Sequence, residues 1–203
     1  MRIGTITFHC AYNFGSALQT YALRKYLTNL GHDVHVIDYR SADFNGYKIF
    51  RGIGVKSFIA DLLFLPGNLR RRSSFQSFWH KCFGLTSRTY EGVDAERSLA
   101  EDLKDYDALI CGSDQIWNYI HTDRLDVYFL MFANKYKAKK ISYAASVSIY
   151  DIPEKLRATY KTYFENIDVL SVRELHGADL VKKYSNKTAE VVLDPTFLLT
   201  KAD

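Results

Sequence analysis

The 203-residue chain has little of what most directly announces a function. Its three cysteines, Cys10, Cys82 and Cys111, are an odd number without paired spacing, which argues for reduced thiols rather than a disulfide frame. Neither they nor the six histidines fall at metal-ligand spacings, so no metal site is expected. No apolar run approaches the ~20 residues of a membrane span. Arg2 is followed by alternating β-type residues, not by the apolar segment of a signal peptide. Internal repeats and low-complexity tracts are absent. These absences predict a cytoplasmic globular protein.

Charge is present in moderation and unevenly placed. The net charge is +4, and residues 41–100 hold nine Lys/Arg against five Asp/Glu, while the remainder is balanced at eighteen against eighteen. The excess is sharpest at "LRRRSS". It reads either as a solvated helix start or as a contact for an anionic substrate, lipid headgroups or an acidic partner. Nucleic acid is not expected, because no reader motif accompanies the patch. The densest apolar stretch, "VKSFIADLLFLPG", carries Lys56 and Asp61 and reads as a buried or interfacial helix. A peripheral contact at the inner face of the membrane follows as an expectation.

The hydrophobic pattern alternates between two periods. "RIGTITF" (2–8) reads as a buried strand. Residues 16–30 read as a helix with a stripe of Leu18, Ala22, Tyr26 and Leu30, widened by Leu23 and Leu27 and stopped by Gly31. "DVHVIDY" (33–39) completes a β-α-β unit. Residues 41–100 interrupt the rhythm with glycines at 46, 52, 54 and 67 and helical pieces near 55–65 and 73–82. Strands are then expected at 107–111, 139–145, 168–172 and 189–194, with "VYFLMF" (127–132) a short strand or helix. Helices are expected from Pro153 to about Asn166 and from about Glu174 to Tyr184. The sum is one α/β domain over 1–203, a Rossmann-like doubly wound parallel sheet with a helical basic excursion at about 41–100.

Such sheets bind ligands beyond the carboxyl ends of their strands. His9, Asn13, Gly15 and Ser16 follow the first strand, and Asp38 and Arg40 the second. "CGSDQIWN", "ASVS", Arg173-Glu174 and Asp194-Pro195 follow the later ones. "NFGSALQ" has one glycine where a dinucleotide fingerprint needs three, although Asp38 would suit a ribose. Gly15 still exposes backbone N–H groups to an anion or a sugar hydroxyl. Ser16 and Gln19 equally fit a capping box, S-x-x-Q, that closes the helix.

In "GSDQIWN", Gly112 gives a tight exit from the strand, and Ser113, Asp114 and Gln115 project polar groups beside Trp117. An aromatic ring beside an acid and an amide is one way to hold a sugar; the alternative for Trp117 is the core. Arg173 could clamp a carboxylate or phosphate, or pair with Glu174 or another acid. The alternative for Asp194-Pro195 is a plain turn of the chain. His9 offers acid–base chemistry or a structural hydrogen bond.

Five segments in order, "FHCAYNFGSALQTYAL", "GSDQIWN", "ISYAASVS", "LSVRELHGADLV" and "VVLDPTFLL", together resemble the polysaccharide pyruvyl transferase family. The resemblance spans about 9 to 199, and 41–100 carry none of it. It implies a GT-B-type two-domain enzyme that moves a pyruvyl group from phosphoenolpyruvate onto two hydroxyls of a saccharide, which is lipid-linked in one version of the expectation. No cofactor is implied. On this resemblance Asp114 is the expected base and His9 a second acid–base candidate. Asn13, Gly15, Ser113, Gln115 and Trp117, with Asp114, line the sugar side of a cleft, Arg173 sits towards the phosphate or carboxylate, and Ser16, Gln19, Gly112, Ser146, Glu174 and Asp194 are further substrate-binding candidates. The resemblance leads the chain into a second Rossmann-like half with much of the donor site, so 1–203 is expected to be inactive alone and prone to dimerise. Two alternatives stand beside it: a nucleotide-sugar glycosyltransferase domain and a non-catalytic saccharide-binding module.

Overall fold

The computed structural model describes residues 1–41, 55–92, 94–122, 124–201 and 203. In chain order the elements are β1 (Arg2–Ile6), α1 (Phe14–Asn29), β2 (Asp33–Val36), β3 (Tyr39–Arg40), α2 (Val55–Cys82), β4 (Tyr90–Glu91), α3 (Ala95–Asp102) and β5 (Ala108–Cys111). They continue with α4 (Leu125–Tyr128), β6 (Lys139–Ser142), α5 (Glu154–Asn166), β7 (Ser171–Val172), α6 (Leu175–Tyr184) and β8 (Glu190–Val191). "VYFLMF" is helical: α4 followed by a 3-10 turn, Met131–Ala133.

Four parallel strands form the central sheet in the order β2-β1-β5-β6. Single parallel bridges, Ile141 to Val169 and Ala145 to Val172, carry it on to the parallel pair β7–β8. On the other edge, Val36 bridges to Leu85 ahead of the parallel pair β3–β4. The strand order therefore reverses between β1 and β5, as in a Rossmann-like sheet, which makes their carboxyl ends the switch point where such sheets form a ligand crevice.

Both faces are covered, and the period of two along the strands decides which residue goes where. On β5, Ala108 and Ile110 join Ile3, Val34 and Leu23 in a small cluster beneath α1. Leu109 and Cys111 point the other way, into the main core with Ile6, Ile37, Trp117 and Phe129.

Two helices differ from the sequence expectation. α1 buries Ser16, Gln19, Thr20 and Leu23, an i, i+3, i+4, i+7 face whose first turns are polar. Leu18, Tyr26 and Leu30 are exposed. Of the expected stripe, Ala22 and Leu23 are buried and Leu27 packs against the core, but in the first turns Ser16, Gln19 and Thr20 take the buried positions, because the carboxyl end of the sheet needs hydrogen-bonding partners there. The two helical pieces of the excursion are one helix, α2, which continues through Pro66. Its second half is anchored by buried Phe75 and Trp79 against Tyr12 and Phe14. Gly46, Gly52 and Gly54 lie outside the described residues. Among the described residues no helix is long and apolar enough to cross a membrane.

Candidate functional site

The crevice is built from the chain leaving β1 and the chain leaving β5. Beyond β1, Asn13 is the N-cap of α1: its side-chain oxygen accepts from the amides of Gly15 (2.8 Å) and Ser16 (3.2 Å). The capping-box reading of Ser16 and Gln19 is thus corrected. With the cap supplied by Asn13, both side chains reach across to β5 instead.

Gln19 is a buried latch. Its amide nitrogen lies 3.0 Å from Thr7 Oγ1 and from Ser16 O, while its oxygen accepts from Ser113 N at 3.2 Å. Thr7 Oγ1 in turn donates to Ser113 O at 2.9 Å. Leaving an amide at this depth unpaired would cost ~1–3 kcal/mol, so the latch fixes the two loops to each other.

Gly112 is required by space rather than by any ligand. Its φ is +120°, and an added Cβ would lie 2.2 Å from Tyr143 O. The turn it permits buries Ser113 completely, whose hydroxyl donates to Asp194 Oδ2 at 2.8 Å. Asp114 follows with φ +72°, a left-handed position that Asp tolerates better than most residues. Its carboxylate accepts from Ser16 Oγ at 2.5 Å and from Gln115 N at 2.8 Å. Its carbonyl accepts from Ser146 N at 3.0 Å, tying the β6 loop to the same corner.

The ends of β6, β7 and β8 form a second polar cluster. Glu174 precedes α6 but does not cap it; Oε1 accepts from Ser146 Oγ (2.9 Å) and Val147 N (3.0 Å). Arg173 Nη1 donates to Asp194 Oδ2 at 3.1 Å, and its Nε lies 4.0 Å from Glu174 Oε2. Asp194 caps the 3-10 turn Pro195–Leu198, accepting from Thr196 N and Thr196 Oγ1. Burial opposes its charge, but these bonds with those from Ser113 and Arg173 hold its carboxyl below the usual range. That turn packs against α1, so the segment after β8 crosses the rim towards the crevice.

Two candidates are not on the rim. Trp117 is 0% exposed, stacked on Phe129 at 4.5 Å with rings 6° from parallel, and edge-on to Phe164. It is a core residue, because Ile116 and Trp117 turn back beneath the loop. His9 is 1% exposed, with Nε2 2.9 Å from Asp38 Oδ1. Asp38 also takes two bonds from Arg40 and one from Thr89. Burial would raise its pKa, yet His9, Arg40 and Thr89 outweigh burial and hold it far below the ordinary carboxylate value. His9 is therefore a strut at the base of the loop, and Asp38 is fully engaged rather than open to a ribose. Ser146 and Ser113, both without exposed surface, likewise act as ties.

Asn13 and Gly15 remain exposed, with Asp114, Gln115, Arg173 and Glu174 partly so. Tyr150, which the sequence reading did not single out, is 93% exposed in the loop after β6, its ring stacked near that of His176. His176 Nε2 also lies 2.8 Å from Tyr150 O. Nothing in "SIYD" separates this tyrosine from a core one. Cys10, beside the loop, is no ready thiolate: burial, only partly offset by Arg40, pushes it up to about 11.

The arrangement offers an oriented carboxylate and amides at the β1/β5 crevice, with a guanidinium among acids farther along the rim. A comparison with curated proteins returns no significant match. A family model described as polysaccharide pyruvyl transferase matches residues 13–203, which takes in α1, the loop after β5, the second polar cluster and every strand but β1. The chain belongs to the polysaccharide pyruvyl transferase family.

Proposed function

We propose that this chain forms the acceptor side of an enzyme that transfers the pyruvyl group of phosphoenolpyruvate to two hydroxyls of a saccharide, with a further α/β half of the intact protein completing the donor side. A proton adds to the enol methylene carbon, and a sugar oxygen bonds to the neighbouring carbon while a base takes the hydroxyl proton. The second hydroxyl then bonds to the same carbon and gives its proton to the departing phosphate as the carbon–oxygen bond to phosphate breaks, so that inorganic phosphate leaves with a cyclic ketal behind it.

Asp114 is the base in this reading. The observation that carries it is the carboxylate's setting: at the switch point, part-exposed, and aimed by Ser16 Oγ and Gln115 N. Two donors leave lone pairs on both oxygens for a substrate hydroxyl. Asn13 spends its carbonyl oxygen on the cap and can offer its amide N–H₂ to a sugar oxygen. Tyr150 takes the stacking role that Trp117 does not have. Arg173, half-exposed, faces the donor's phosphate or carboxylate.

The test is phosphate release and ketal detection by mass spectrometry, using the intact protein, phosphoenolpyruvate and a panel of lipid-linked and nucleotide-linked sugars. Asp114→Asn should fold normally and lose ~10²–10⁴-fold in kcat. Equal turnover by the variant would remove Asp114 from its role. Turnover of a nucleotide sugar without ketal would overturn the reaction itself.

A further inference from the structure

The first half of α2 has no role in the crevice, yet it concentrates the chain's exposed apolar side chains. Ile59, Leu62, Leu63, Phe64 and Leu69 are all large and exposed, Leu63 by 75% and Phe64 by 69%. Helical spacing puts Ile59, Leu62, Leu63, Pro66 and Leu69 on one face, with Arg70 at its end. Arg70, Arg71 and Arg72 follow directly and are exposed. Residues 55–82 contain five Lys/Arg and a single acid, Asp61, so this helix alone accounts for a charge equal to the chain's net +4. Soluble surfaces rarely leave such a run of leucines uncovered without a partner.

We propose that α2 docks this protein on an anionic membrane surface, its apolar face entering the headgroup–acyl boundary and its arginines lying among the phosphates. An apolar stripe bounded by arginines matches a partner that is apolar in depth and anionic above, which is the layering of a lipid leaflet. It also combines the two attractions, apolar insertion and basic charge, that stable surface binding requires. A second copy of the chain fits less well. A two-fold contact through this face would bring two triple-arginine clusters together, and like charges across an interface oppose association.

The docking surface is mechanically joined to the crevice. Arg71 Nη2 donates to Tyr12 O at 3.1 Å, Gln76 Nε2 donates to Tyr12 Oη at 3.2 Å, and Phe75 packs on Tyr12 and Phe14. Tyr12 and Phe14 flank the cap residue Asn13. A helix lying on the membrane would thus hold the crevice close to the surface, where a lipid-linked saccharide would present its sugar. The docking itself does not depend on the proposed reaction.

The experiment is co-sedimentation of the intact protein with phosphatidylcholine vesicles, with and without phosphatidylglycerol, at low and high salt. Binding should require the anionic lipid and weaken with salt. Arg70→Glu with Arg72→Glu should lower partitioning by at least about 30-fold, from ~1 kcal/mol per basic residue at the surface. Leu62→Ser with Leu63→Ser should lower it on the order of tenfold or more. These side chains are exposed, so circular dichroism and thermal melts should match the parent. Equal binding to neutral vesicles, or no loss with either pair, would overturn the proposal. So would sedimentation velocity showing a dimer that the leucine pair dissociates, because the face would then belong to a second copy.

Discussion

Replacing Trp117 separates a core residue from a saccharide platform. Trp117 has no exposed surface, stacks on Phe129, meets Phe164 edge-on and takes a hydrogen bond from Tyr160 Oη on its carbonyl at 2.6 Å. Trp117→Ala removes the ring from the centre of that cluster and leaves a cavity, which typically costs ~3–5 kcal/mol. For a chain of this size each kcal/mol moves Tm by ~2–4 °C, so the variant should melt ~6–20 °C lower. Trp117→Phe keeps a ring against Phe129 and loses indole volume and the long bond from Nε1 to Tyr128 O (3.4 Å). Its cost should be ~1–2 kcal/mol. Calorimetry gives the melting temperatures, and acceptor titration of the Phe variant gives KM. A Trp117→Ala protein melting within ~2 °C of the parent, with only its acceptor KM raised, would refute the core assignment.

Two further perturbations follow from the same framework. Gly112→Ala places a methyl group 2.2 Å from the backbone oxygen of Tyr143 at a φ of +120°, so it should destabilise by at least ~2 kcal/mol in urea titrations. An unchanged midpoint would mean that the β5 and β6 loops yield easily. Asp38 has its folded pKa lowered, so its stabilising contribution is full above the unfolded value near ~3.9 and is lost as pH falls below it. Unfolding free energy should therefore drop more steeply between pH ~5 and ~2 in the parent than in Asp38→Asn, and equal drops would show that the His9, Arg40 and Thr89 bonds do not favour the ionised form.

The alternation of strands and helices was legible because each element carries its own period. The crevice was legible because Gly112, Ser113, Asp114 and Gln115 directly follow a short apolar strand. What could not be read was which polar groups face outwards. Trp117 is claimed by Phe129 and Phe164, and His9 by Asp38, which lies 29 residues away. Ser113 is claimed by Asp194 across 81 residues. Local pattern carries no information at those separations. The buried face of α1 was legible at Ala22 and Leu23 but not in its first turns, for a related reason: a hydrophobic stripe locates the core, whereas this helix begins over a polar sheet end.

Asp194 changes how Arg173 must be understood. A guanidinium alone on the rim would be a plain anion receptor, but this one meets a carboxylate already held in its charged form by Ser113 and Thr196. Only one of its five N–H groups is spent on Asp194, and its side chain remains 34% exposed. The carboxylate therefore orients the fork more than it neutralises it. An arriving phosphate or carboxylate would be repelled from the Asp194 and Glu174 sides and drawn to the donors that face neither. On the proposed reaction, that directionality suits a donor entering from beyond the rim, while Asp114, separated from this pair by the buried Ser113, would address the acceptor.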